Sequence, residues 1–123
     1  MSSLINWFQI PVKDFNRASK FYGKVLGKPL EKMEMGGDLM GFLPMRGKTG
    51  VGGAIVKGRG CVPSKNGTMV FLNAGNDLRP FVERVEKAGG KIVVPRTFIR
   101  KDIGYFAIFL DTEGNRVAFH SPK

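Results

Sequence analysis

Apolar positions in this chain follow a strand-like pattern, then a helical one, then strand-like runs, and the whole order occurs twice. From Leu4 to Val12 a short run rich in Ile, Trp, Phe and Val reads as a strand. Behind it Asp14 is a good helix N-cap, and Phe15, Ala18, Tyr22 and Val25 recur at helical spacing. Gly27 ends that helix and Pro29 prevents its return. Leu30–Met35 and Leu39–Met45 read as strands around Gly36-Gly37-Asp38, and Val51–Lys57 as a fourth. Gly52 and Gly53 thin that fourth strand, which often marks a bend or the close approach of a backbone or ligand. After a segment rich in Gly, Pro, Ser, Lys and Asn, the order begins again with a strand over Thr68–Asn73. Asp77 is placed to cap a second helix with Leu78, Phe81, Val82 and Val85 inward, Pro80 in its first turn and Gly89-Gly90 as its stop. Lys91–Val94, Tyr105–Asp111 and Arg116–His120 complete the second set.

An offset of about 63 residues lays Asp14 on Asp77, Gly27 on Gly90 and Lys28 on Lys91. The pattern predicts an α+β fold of two βαβββ modules, 4–57 and 68–123, joined by a linker over 58–67 within one domain. Two helices are too few to cover both faces of eight strands. The expected arrangement is a curved sheet with helices outside and a cavity enclosed by the concave faces.

Composition narrows the function classes. The chain has 123 residues and no apolar run near the ~20 residues of a membrane span. Its first residues carry no basic region or apolar signal core, and the single cysteine, Cys61, leaves no intrachain disulfide. Cytoplasmic residence is the expectation. Twenty Lys and Arg against ten Asp and Glu give a formal net charge of +10, which attracts anionic partners. Lys13, Arg17, Lys20 and Lys24 fall on helical spacing as a solvent-facing stripe, and Arg46, Lys48, Lys57, Arg59 and Lys65 make an acid-free segment that could rim an entrance to the cavity. Cys61 has no adjacent histidine or helix N-terminus to make it a nucleophile, and the six methionines read as adaptable core filler. No phosphate loop, hydrolase elbow or dinucleotide fingerprint occurs.

Three segments together resemble the vicinal oxygen chelate superfamily of glyoxalases, extradiol dioxygenases and bleomycin-resistance proteins. They are the first strand running into AspPheAsnArgAlaSerLysPheTyrGlyLysValLeuGly, the helical ValGluLysAlaGlyGlyLys, and the hairpin PheLeuAspThrGluGlyAsnArgVal. The hairpin is similar to the family's strand–AspProAspGly–strand turn, with Thr112 and Glu113 in place of the Pro-Asp pair. The resemblance covers nearly the whole chain. It implies paired βαβββ modules, a U-shaped, partly open barrel, and usually a homodimer; it implies no single reaction.

In metal-dependent members, His, Glu or Gln at four strand positions hold a divalent cation. By register these positions are Trp7, Val70, Ala118 and one residue within Val51–Lys57. None offers a ligand for a divalent cation, so no metal and no other cofactor is expected. Strand alternation turns Gln9 to the side of Trp7, and His120 to the side of Ala118. The candidate ligand-binding residues are therefore Trp7, Gln9, His120 and Tyr105, with His120 the one candidate for acid–base catalysis. Each also has an ordinary structural reading: core aromatics for Trp7 and Tyr105, and hydrogen-bonded polar groups for Gln9 and His120.

The leading expectation is a metal-independent binder of a small molecule, with the basic segment favouring an anionic one. The same charge disfavours sequestering a cationic drug such as bleomycin. The alternative is a glyoxalase-type lyase or isomerase with an unusual metal site or His120 acid–base chemistry. A basic nucleic-acid module ranks third, because 46–65 carries no aromatic residue to interleave with its cations.

Overall fold

The computed structural model describes residues 3–45 and 50–123. Arg46 and Lys48 of the basic segment lie outside the described residues. The chain divides into two compact units, one ending at Pro63 and the other starting at Ser64.

The first unit runs β1 (Trp7–Pro11), α1 (Phe15–Leu26), β2 (Glu31–Met35), β3 (Asp38–Phe42) and β4 (Gly52–Lys57). Its four strands lie in the order β1-β4-β3-β2, with β1 parallel to β4 and the other neighbours antiparallel. The second unit runs β5 (Phe71–Asn73), α2 (Arg79–Lys87), β6 (Lys91–Arg100), β7 (Gly104–Leu110) and β8 (Arg116–Ser121). Its order is β5-β8-β7-β6, with β5 parallel to β8. The fold is thus α+β, two four-stranded sheets each carrying one helix, with the same βαβββ order in both units. Among the described residues no helix is long and apolar enough to cross a membrane.

α1 starts as its sequence dictates. Asp14 is extended (φ −108°, ψ 100°), and its carboxylate accepts from the Arg17 N–H at 3.0 Å, satisfying one orphan donor of the first turn. Gly27 takes the left-handed conformation (φ 79°) and donates to the Gly23 carbonyl, closing the helix. Phe15, Ala18, Phe21, Tyr22 and Val25 are buried on its inner face.

α2 departs from the expected start. Its N-cap is Leu78, not Asp77. The Asp77 carboxylate accepts from the Arg79 N–H, only two residues on, and grips the Arg79 guanidinium at 2.7–3.1 Å. These bonds to Arg79 hold the Asp77 carboxyl down at about 2. The Leu78 N–H is met instead by the Ser121 hydroxyl oxygen at 2.8 Å, a contact across the unit that no local pattern encodes. Pro80 sits in the first turn, as expected, where it forfeits no helical hydrogen bond.

Strand β6 is the other departure. The sequence reading stops it at Val94, before Pro95, yet it continues to Arg100. β6 is an edge strand, where proline's missing N–H can face away from the ladder. Register irregularities between Ile92 and Val94 and between Val94 and Thr97 bracket that proline.

Candidate functional site

Each sheet has a helix-covered face and an open face, and alternation along the strands assigns every side chain to one or the other. In the first unit Gly41 pairs with Ile55, and a Cβ at Gly41 would touch the Phe15 ring of α1. Ile55 pairs in turn with Ile10. Phe8, Ile10 and Val12 therefore face the helix, and Trp7, Gln9 and Pro11 face the other way. Trp7 and Gln9 share the open face with Gly52, Ala54 and Val56 of β4, and with Met40 and Phe42 of β3.

Trp7 is not core filler: it is 44% exposed and meets Phe42 edge-on with ring centroids 6.0 Å apart. Gly52 makes room for it. A Cβ there would lie 3.1 Å from the Trp7 ring and 2.8 Å from the Met45 sulfur. On the helix-covered face the Phe8 ring occupies the corresponding space over Gly53, within 2.4–2.5 Å of where a Cβ would stand. The paired glycines of β4 thus admit two aromatic side chains of this chain, one per face. Cys61 is half-buried against Met40, Ala54 and Val56.

In the second unit the Phe119 ring packs on Phe81 of α2 (centroids 5.3 Å) and stacks on Phe109 (4.9 Å), which marks the helix face. Leu72 and Ala107 pair with Phe119 and share that face. On the open face Phe71 and Ile108 pair with Ala118, and Asn73 and Phe106 pair with His120.

This register corrects two expectations. The first concerns Val70. Counting seven residues back from the α2 N-cap, Leu78, reaches Phe71, just as seven back from Asp14 reaches Trp7. Val70 precedes the strand, and its carbonyl accepts from the Ala118 N–H at 2.9 Å. Phe71, 51% exposed, is the open-face residue. The one-residue slip arises because Asp77 stands one residue before the α2 N-cap, whereas Asp14 is itself the N-cap of α1. The second concerns Tyr105. It pairs with Ser121, not with His120, and so lies on the helix side, with the Arg96 guanidinium 3.7 Å from its ring centroid. Phe109 and Phe119 are fully buried under α2. Among Tyr105, Phe106, Phe109 and Phe119, Phe106 alone shares the face of His120.

His120 lines an open groove of ≈610 Å³ with Phe71, Asn73, Ile99, Ile103 and Pro122. Its Nε2–H donates to the Ile103 carbonyl at 2.7 Å. A carbonyl only accepts, so this bond fixes the tautomer with Nδ1 as the unprotonated nitrogen when the ring is neutral. Asn73 is oriented by its own turn, its side-chain oxygen accepting from the Gly75 N–H at 2.8 Å.

The open-face positions that correspond to metal ligands in the resembling family hold Trp7, Gly52, Phe71 and Ala118. An indole, a hydrogen, a phenyl ring and a methyl group offer no donor to a divalent cation. Among the described residues no three His, Cys, Asp or Glu side chains converge. The residues at these positions do not fit a catalytic metal.

Two βαβββ units with Trp7, Gly52, Phe71 and Ala118 at these positions, and no metal-ligand cluster among the described residues, define a class: a glyoxalase-type fold without the usual metal-binding residues. The sequence profile of the Glyoxalase/Bleomycin resistance protein/Dioxygenase superfamily matches residues 4–119, and the chain belongs to that family. Solved structures of similar fold include a glyoxalase/bleomycin resistance protein from Albidiferax ferrireducens. It is 20% identical, with a TM-score of 0.74 over 95% of this chain and 97% of that one. The antibiotic-binding protein TnmS3 from Streptomyces is 21% identical, with a TM-score of 0.71 over 100% of this chain and 99% of that one. Glyoxalase I from Zea mays is 23% identical, with a TM-score of 0.68 over 94% of this chain. This chain spans 45% of the maize enzyme's length. No curated protein matches the chain by sequence.

Proposed function

We propose that this protein binds a small organic molecule without a metal, through the open faces of its sheets. The observation that carries the reading is Trp7: a half-exposed indole at a position where metal-dependent relatives need a ligand, beside the exposed amide of Gln9. An indole face with a neighbouring amide stacks a flat apolar group and orients it by a hydrogen bond. In the second unit His120 offers Nδ1 in a groove walled by Phe71, Ile99 and Ile103. The likeness to an antibiotic-binding protein supports the same reading. The exposed cations Lys57, Arg59 and Lys65 favour an anionic ligand. A glyoxalase-type lyase reading has His120 alone behind it, because the ligand positions carry no donors. The single half-buried cysteine supports a cytoplasmic setting.

Because Trp7 is the only tryptophan, its emission reports the first unit's open face directly. A screen of carboxylates, phosphates and apolar aromatics should find compounds that shift it. Gln9→Ala should weaken binding at the first unit, and His120→Ala binding in the second unit's groove, each by ~1–3 kcal/mol if the side chain hydrogen-bonds a charged group, with the fold kept. No shift from any compound, together with variants that lose stability rather than affinity, would overturn the reading.

We further propose a homodimer. Each sheet ends in edge strands, β1 and β2 in one and β5 and β6 in the other, and edge strands favour pairing. Light scattering is expected to give twice the 13.6 kDa chain mass; a monomer mass over a broad concentration range refutes it.

A further inference from the structure

The two helices occupy the same place in the repeat but carry different outer surfaces. The exposed residues of α2 mix signs, with Glu83, Glu86 and Lys87 on one short helix. From Phe15 to Leu30 the chain has no acid at all, and Lys20 and Lys24 on α1 and Lys28, just past the Gly27 cap, are each exposed. Lys20 and Lys24 are one helical turn apart on one face, ~6 Å along the axis, and Lys28 lines the same groove. Arg17, also exposed, lies one turn before Lys20. Like charges four apart destabilise an isolated helix by a few tenths of a kcal/mol per pair, and the placement of Lys24 in the last turn, at the negative end of the helix dipole, offsets part of that.

The lysines line a concavity, not only a convex stripe. A groove of ≈580 Å³ runs beside them, bounded by Asn16, Ser19 and Gly23 on the helix and by Pro29 and Leu30 beyond it. Gly23 leaves the groove floor without a side chain, and Asn16 and Ser19 supply polar groups at its wall. Every aromatic residue of α1, namely Phe15, Phe21 and Tyr22, is buried on the opposite face.

We propose that the α1 groove is a docking surface for the phosphate backbone of double-stranded nucleic acid, bound without sequence preference. Charge complementarity selects a polyanion, and three lysines lining one groove suit one whose charges recur along a strand. The absence of an exposed aromatic removes the stacking that single-strand binders use, so the duplex is favoured. A lipid surface fits less well, because the apolar groups beside the lysines are only Pro29 and the half-buried Leu26 and Leu30, with no exposed aromatic or long aliphatic stripe to enter a bilayer. The sequence-level objection to a nucleic-acid role concerned segment 46–65 and base stacking; this surface is a different segment and needs phosphates only.

The test is anisotropy of a labelled random-sequence duplex titrated with the full chain at several salt concentrations. Three lysine–phosphate contacts give a slope of log K against log salt near −2.7, an affinity loss of about 40-fold between ~50 and ~200 mM salt. Lys20→Glu with Lys24→Glu should flatten the slope by about 1.8 units and cut low-salt affinity at least tenfold. Lys87→Glu with Lys91→Glu makes the same change in net charge elsewhere and should leave most of the binding. Equal losses in both double variants would reduce the effect to overall charge and overturn the proposal. Binding of the wild-type chain to phosphatidylserine vesicles but not to duplex would overturn it as well, and assign the surface to a membrane. Unchanged far-UV circular dichroism and an unchanged thermal midpoint in both variants check that the fold is intact.

Discussion

Gly104→Ala is expected to destabilise the second unit by about 3–5 kcal/mol, a large part of what a domain of this size has to lose. Two costs coincide at this residue. Its φ is 109°, a backbone conformation that L side chains rarely adopt, worth about 1–3 kcal/mol of strain. A Cβ there would also stand 2.3 Å from the Ser121 carbonyl oxygen and 2.8 Å from the Pro122 Cα. Both are backbone atoms at the end of β8, so neither can swing aside as a side-chain tip would, and overpacking of this kind adds about 1–3 kcal/mol. The displacement has a functional consequence, because Gly104 follows Ile103, whose carbonyl holds the His120 ring. Urea denaturation should show a lower midpoint at unchanged slope. A loss below about 1 kcal/mol would mean that the Gly104–Ser121 contact is looser than described.

Asp111→Ala comes next, with an expected loss of about 3 kcal/mol. Asp111 is 5% exposed and organises the β7–β8 hairpin by itself. One carboxylate oxygen accepts from the Glu113 and Asn115 N–H groups at 2.8 and 2.9 Å, and the other from the Asn115 side-chain amide at 3.0 Å. Asn115, also 5% exposed, then accepts from the Ser64 N–H at 3.1 Å. Alanine would strand donors on a buried residue, each costing about 1–3 kcal/mol, with losses that do not simply add. Asp111→Asn is the informative companion. It keeps an acceptor for the two backbone N–H groups but turns its amide toward that of Asn115, so about half the loss should return. Thermal denaturation of both variants measures the difference. Equal losses would show that the charge matters more than the geometry.

The hairpin also shows what a recognisable motif encodes. AspThrGluGlyAsn is legible in the sequence as a turn between strands, and the structure gives its first and last residues a purely architectural task. Its neighbour His120 is different. That it is the only histidine was visible at once; that its Nε2 is committed to Ile103 was not, because the partner lies 17 residues away across a strand pair.

By itself the sequence determined the order of elements, the α+β class, the start and end of α1, and the indole and methyl groups at Trp7 and Ala118, where metal-dependent relatives carry ligands. These depend on local spacing: period-two and helical runs, an Asp at a cap, a glycine at a stop. Tertiary structure alone decided the rest. The N-cap of α2 moved to Leu78 because Arg79 draws the Asp77 carboxylate and the Ser121 hydroxyl meets the Leu78 N–H. That shift put Phe71, not Val70, on the open face, since one residue of slip turns a side chain to the other side of a sheet. Tyr105 fell on the helix side for the same reason, through its pairing with Ser121. Trp7 became a half-exposed platform because Gly52 beside it has no side chain. Register and face are set by contacts between strands far apart in the chain, and no local pattern carries them.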